Sequence, residues 1–227
     1  MKPKKIVTWL VVASLTILGG YWIYKGITKP LPGEAVADIG REHVTDIAGI
    51  AYNSNPPTSG THFPVWAKPG VYDRLMSDGY LVHSLEHGYV IISYDCTKSI
   101  SASFGLIPTA FAHDEPTKES TNSGEFLMHM KAAPQGNMSW FTPQNPPEIE
   151  VELPESYNSD ACKQLVGQLS EFTKVAERVI VVPRVGMDTQ IALTAWGRIL
   201  KLDSVDEVAI TSFITTFHNK GPEQTQE

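Results

Sequence analysis

Tyr80-Leu81-Val82-His83-Ser84-Leu85-Glu86-His87-Gly88-Tyr89-Val90-Ile91-Ile92 sets two histidines and a carboxylate close together, closes them with a glycine, and runs directly into an apolar, β-branched stretch. Its conformation decides how the chain folds. His83 and His87 are four apart. On a helix their Cβ atoms stand about 5–6 Å apart on one face. On a strand they stand roughly 13 Å apart, at about 3.3 Å per residue, too far to share an ion. A joint site therefore requires a helical turn over 83–87. Gly88 is placed to end that turn in the left-handed region, and Tyr89 to Tyr94 then reads as a strand from its β-branched and aromatic content.

A third histidine comes from upstream. Tyr52-Asn53-Ser54-Asn55-Pro56-Pro57-Thr58-Ser59-Gly60-Thr61-His62 is a stiff loop. Two prolines fix φ and exclude the helical region before them, and Ser59-Gly60 permits a sharp turn. Histidine is the commonest metal ligand, so His62, His83 and His87 are the expected donors of one transition-metal site. Glu86 would orient a ligand. Imidazole with thioether suits copper, Cu(I) above all. Copper is therefore the expected ion, with Met187 completing the sphere, and zinc is the other choice. Met128-His129-Met130, with His113 before it and Met138 after, is a further soft-donor group in the same chain.

Two other readings stay open. His83-Ser84-Leu85-Glu86-His87 matches H-x-x-E-H, the inverted zinc-protease pattern, which would make Glu86 the base of a zinc-dependent hydrolase. Those enzymes carry the motif inside a long helix, and here β-type residues flank it closely. The alternative without metal is a structural or partner-docking domain whose histidines pin the loop to the sheet by hydrogen bonds.

The rest of the chain frames this site. Ile6 to Tyr24 is uncharged, preceded by Lys2, Lys4 and Lys5 and followed by Lys25. As a helix it would cover roughly 28 Å, about one hydrocarbon core. Trp9, Tyr21, Trp22 and Tyr24 sit near its ends, where amphipathic rings favour the interface. The expectation is a transmembrane anchor over 6–24, with residues 1–5 cytoplasmic and the C-terminal domain outside the cytoplasm, periplasmic or extracellular. Residues 25–44, with Pro30, Pro32, Gly33 and Gly40, read as a stalk. The domain proper is expected over 45–220, with an irregular, proline-rich excursion over 97–147 and a loose tail over 221–227. Residues 71–78 suggest a short helical turn ended by Gly79. Residues 159–176 and 204–217 read as amphipathic helices, the second with Ser204 as its N-cap. Val179 to Pro183 and Gln190 to Trp196 read as strands forming an antiparallel neighbour pair. The fold class is thus α+β: a small mixed or antiparallel sheet with two packed amphipathic helices.

Composition bounds the function. The chain is 42% hydrophobic and 19% charged, with a net charge of −7, an ordinary globular balance. All 25 acidic residues but only 13 of the 18 Lys and Arg follow position 30. Such an acidic domain argues against nucleic acid as a partner, since that affinity rests on cationic contacts to phosphate. Any partner would be another envelope protein. Cys96 and Cys162 form no C-x-x-C motif and read as one structural disulfide of an exported domain.

Three blocks carry a family resemblance: Tyr52 to His62; Val82-His83-Ser84-Leu85-Glu86-His87-Gly88; and Ala192-Leu193-Thr194-Ala195-Trp196-Gly197-Arg198 with Gly221-Pro222-Glu223. Across roughly residues 45 to 223 they resemble an uncharacterised family of bacterial membrane-anchored proteins, known as a domain of unknown function. The resemblance implies one extracytoplasmic domain behind a single N-terminal anchor, and it implies no activity.

Overall fold

The computed structural model describes residues 3–27, 30–98, 138–147 and 151–223. It divides into a segment ending at Leu31 and a body that starts at Pro32. The first contains helix α1 (Pro3–Ile27), so the uncharged run is helical as expected. Leu15, Ile17, Leu18, Trp22, Ile23 and Tyr24 on it are exposed. Among the described residues no helix is long and apolar enough to cross a membrane. The structure thus supports the helix and not a membrane span.

The body is α+β and built on a mixed six-stranded sheet in the order β1-β8-β7-β4-β6-β3. The strands are β1 (Glu34–Ala35), β3 (Gly70–Val71), β4 (Val90–Tyr94), β6 (Val179–Pro183), β7 (Ile191–Ala195) and β8 (Arg198–Leu202). A separate parallel pair joins β2 (Trp66–Ala67) to β5 (Trp140–Phe141). β4, β6 and β7 are buried along their whole length, which explains their unbroken apolar runs. The two-residue period divides their side chains between two cores. Val90, Ile92, Val179 and Val181 pack with Leu165, Leu169, Ile210 and Phe213. Ile91, Ile180 and Val182 pack with Leu81, Leu85 and Phe63. The first core is closed by α3 (Asp160–Ser170) and α4 (Glu207–Phe217), the second by α2 (Asp78–Glu86). Cys96 and Cys162 are bonded to each other, tying the end of β4 to α3.

Several expectations are corrected. β6 and β7 are not neighbours: β4 lies between them, parallel to β6 and antiparallel to β7. A short link suggests a hairpin, but β4 supplies edges for both. β7 instead pairs antiparallel with β8, across Trp196-Gly197. Residues 71–78 form no helix ended by Gly79. The helix begins at Asp78, capped by Ser77 Oγ, which accepts from the Gly79 N–H. Gly79 sits in its first turn because a Cβ there would stand 2.4 Å from the Phe63 ring. Asp206, not Ser204, caps α4 through the Ala209 N–H. Residues 34–44 are no free stalk. β1 pairs with β8, and residues 37–44 lace the Pro-Pro loop through Asn53 Nδ2 to Ala37 O, Gly60 N to Gly40 O and His62 N to Glu42 O. The tail is held as far as Glu223, whose N–H donates to Glu86 O.

One buried ion pair joins these parts. Arg184, at the end of β6, makes a two-pronged contact with Asp78 at the start of α2, with Nη1–Oδ1 at 2.5 Å and Nη2–Oδ2 at 3.0 Å. Its Nε donates to Asn55 Oδ1 in the Pro-Pro loop at 2.8 Å. Both charged side chains are buried. Removing one partner strands the other charge. Arg184→Met is therefore expected to cost about 3–5 kcal/mol, read from the denaturant midpoint of unfolding. A loss below about 1 kcal/mol, the level of a surface pair, would contradict this role.

Candidate metal centre

The site stands where α2, the end of the Pro-Pro loop and the 41–44 segment meet. α2 supplies His83 and Glu86. It ends at Glu86 with His87 as its C-cap, and Gly88 follows at φ 79° before β4 begins. The turn over 83–87 on which a joint site depends is therefore present. His62 is held by backbone pairing on both sides. Its N–H donates to Glu42 O and its carbonyl accepts from Val44 N, forming a parallel bridge that sets His43 beside it.

One ligand nitrogen from each of His43, His62 and His83 lies within 4.8 Å of the others. Two nitrogens on one tetrahedral ion at 2.0–2.1 Å stand about 3.3 Å apart, so the widest pair of this trio needs to close by up to about 1.5 Å. The ring centroids of His43 and His83 are stacked at 4.8 Å, and His62 meets both edge-on. His62 and His83 are buried, whereas the His43 side chain is 45% exposed.

The hydrogen bonds fix the tautomers. His62 Nδ1 donates to Gly60 O at 2.7 Å, and His83 Nδ1 donates to Phe63 O at 2.5 Å. A carbonyl only accepts, so both rings carry a proton on Nδ1, and Nε2 faces Glu86 in His62 and His87 in His83. This is how ligating histidines are held in metal sites. His62 Nε2 then faces Glu86 Oε2 at 2.9 Å. A neutral Nδ1–H imidazole and a carboxylate place two lone pairs against each other there, and a proton or a metal cation has to resolve that contact. His43 Nε2 stands 3.5 Å from the same oxygen, and Arg41 Nη1 3.6 Å from Oε1. Burial pushes the His83 imidazole down to about 3, with its bond to Phe63 O opposing. Burial also lowers His62, against the pull of Gly60 O and Glu86. Neutral imidazoles are the form that binds metal.

The expected ligands fare unevenly. His62 and His83 share the cluster. His87 sits at its edge, Nε2 to Nε2 2.9 Å from His83, and Trp66 stacks over both rings at 4.6 and 5.3 Å. Glu86 contacts His62 as expected of an orienting group. Met187 has no contact with these histidines among the hydrogen bonds of the described residues. It is buried and donates its N–H to Asp95 Oδ2, beyond the far end of β4 from His87. Five strand residues at about 3.3 Å each separate these two ends of β4. Met76 belongs to the second core. Met128-His129-Met130 and His113 lie outside the described residues. His43 was absent from the expected set. It stands in a mixed segment without periodicity, and only its backbone pairing with His62, a non-local contact, brings it in.

Fold and site define an α+β domain with a buried histidine cluster at the C-terminal end of a short helix. The chain belongs to the family described as "Protein of unknown function (DUF3105)", matched over residues 43–110 and 155–227. Comparisons with curated proteins and with solved structures give no match.

In the metal-free protein, an unfolded imidazole titrates at 6.5 and folded His83 at about 3. Between these values the unfolded chain binds a proton that the folded one refuses, so stability falls as pH drops below 6.5. Urea midpoints taken in chelator from about pH 7.5 to about 5 are expected to decline in the wild type and to decline less steeply in His83→Gln. Equal slopes would contradict the burial of a neutral His83.

Proposed function

We propose that this chain binds one divalent transition-metal ion, Zn²⁺ or Cu²⁺, through His43, His62 and His83, with Glu86 as the fourth donor, for metal binding, storage or delivery. The observation that carries the reading is that one ring nitrogen from each of His43, His62 and His83 lies within 4.8 Å of the others, with Nδ1 of His62 and His83 already bonded to Gly60 O and Phe63 O. Imidazoles with a carboxylate suit Zn²⁺ and Cu²⁺. The thioether case for Cu(I) rests on Met187, whose backbone is bonded to Asp95 past the end of β4 opposite His87, and on Met128-His129-Met130, outside the described residues. In the H-x-x-E-H pattern the Nε2 atoms of His83 and His87 stand 2.9 Å apart, but Glu86 Oε2 faces His62 Nε2 at 2.9 Å, which suits a donor or orienting role better than that of a base.

The N-terminal segment in this reading anchors the domain on the outer side of a membrane. Support comes from its 19 uncharged residues between flanking lysines, the exposed apolar side chains of α1, and the Cys96–Cys162 disulfide, a bond typical of oxidising compartments.

Metal analysis of the full chain recovered from the membrane fraction of its native cells tests both halves. The expected result is about one ion per chain, as one four-donor site holds. His43→Ala, an exposed position that leaves the core intact, should weaken binding by about tenfold or more, and His83→Ala should abolish it. Unchanged metal content in His83→Ala, or none in the wild type, rejects the site. Recovery in the soluble fraction rejects the anchor.

A further inference from the structure

Resting on that reading, we propose that the open side of the metal centre is a binding position for a small oxyanion, held between the ion and Arg41. Among the described residues, most of the site's side chains are buried. His62, His83, His87 and Glu86 are all buried, and Trp66 covers the His83 and His87 rings. Among the described residues that make an ion-pair contact with the Glu86 carboxylate, Arg41 and His43 reach solvent, at 58% and 45% exposed. A ligand entering from outside meets these two first.

The charges favour an anion. Three neutral imidazoles and one carboxylate leave a divalent ion with a net positive charge, and Arg41 adds another beside it. Arg41 Nη1 stands 3.6 Å from Glu86 Oε1, while Oε2 of the same carboxylate stands 2.9 Å from His62 and 3.5 Å from His43. The guanidinium is thus one carboxylate away from the metal donors. At 3.6 Å its contact with Glu86 is looser than a charge-assisted hydrogen bond, which runs about 2.7–2.9 Å. Once Glu86 turns its charge to the ion, the fork of Arg41 is available to a second oxyanion. A planar fork beside a Lewis-acidic ion matches a carboxylate or phosphonate well.

The test uses Co²⁺ as a coloured substitute for the bound metal. The Co²⁺-loaded full chain is titrated with acetate, with methylphosphonate, and with acetamide as a neutral counterpart of acetate, and the visible ligand-field spectrum is followed. The expected result is a saturable spectral change with either anion and none with acetamide. Arg41→Gln should weaken the anion response by about tenfold or more, the size of a lost charged hydrogen bond, without lowering affinity for Co²⁺. Equal anion affinity in Arg41→Gln, an equal response to acetamide, or cobalt binding with no anion response overturns this inference alone. Failure to bind cobalt overturns the metal reading and the inference with it.

Discussion

The buried contact of Arg184 with Asp78 and Asn55 is the constraint on which the rest of the domain depends. It ties the end of β6, the first residue of α2 and the Pro-Pro loop to one guanidinium. Such a group is costly to bury, and it is retained only when every partner is in place. Its consequence is geometric. With the start of α2 and the loop fixed to the sheet, His83 on the helix and His62 at the loop's end have little freedom to separate. The Phe63 ring against Gly79 and the Phe63 N–H to Gly79 O repeat the attachment next to the site.

The centre itself is held under electrostatic tension. Burial lowers the pKa of His62 and His83, while Glu86, almost as deeply buried, lies against Nε2 of His62. Arg41 and His43 relieve the carboxylate only from the solvent side. A cation placed among these donors satisfies the imidazole lone pairs and the carboxylate together, which a proton does for one contact at a time. The pairing of the far end of the chain with the end of α2, Asn219 N to Gly88 O and Glu223 N to Glu86 O, keeps the backbone of these ligands from fraying.

Much of this was legible in the sequence. The histidine spacing and Gly88 demanded a helical turn ending in a strand, and the loop of Pro56 and Pro57 identified His62 as its companion. The β4 and β6 runs read correctly because strands buried on both faces have no polar alternation. What failed was non-local. No local pattern shows that β4 lies between β6 and β7. The N-terminus of α2 was misplaced because all nine of its residues are buried, which removes the amphipathic period that marks a helix start. His43 joins the site through a bridge of backbone hydrogen bonds to His62, a pairing that its neighbours Arg41, Glu42 and Val44 do not announce. Met187 was chosen for its chemistry alone, and Asp95 fixes its backbone at the opposite end of β4.

X-ray absorption at the edge of the bound ion tests the central claim most directly, because it reads the donor atoms themselves. The account predicts three imidazole nitrogens and one or two oxygens at about 2.0–2.2 Å, with no sulfur in the first coordination sphere. A sulfur scatterer at about 2.3 Å, or fewer than two imidazoles, would contradict it.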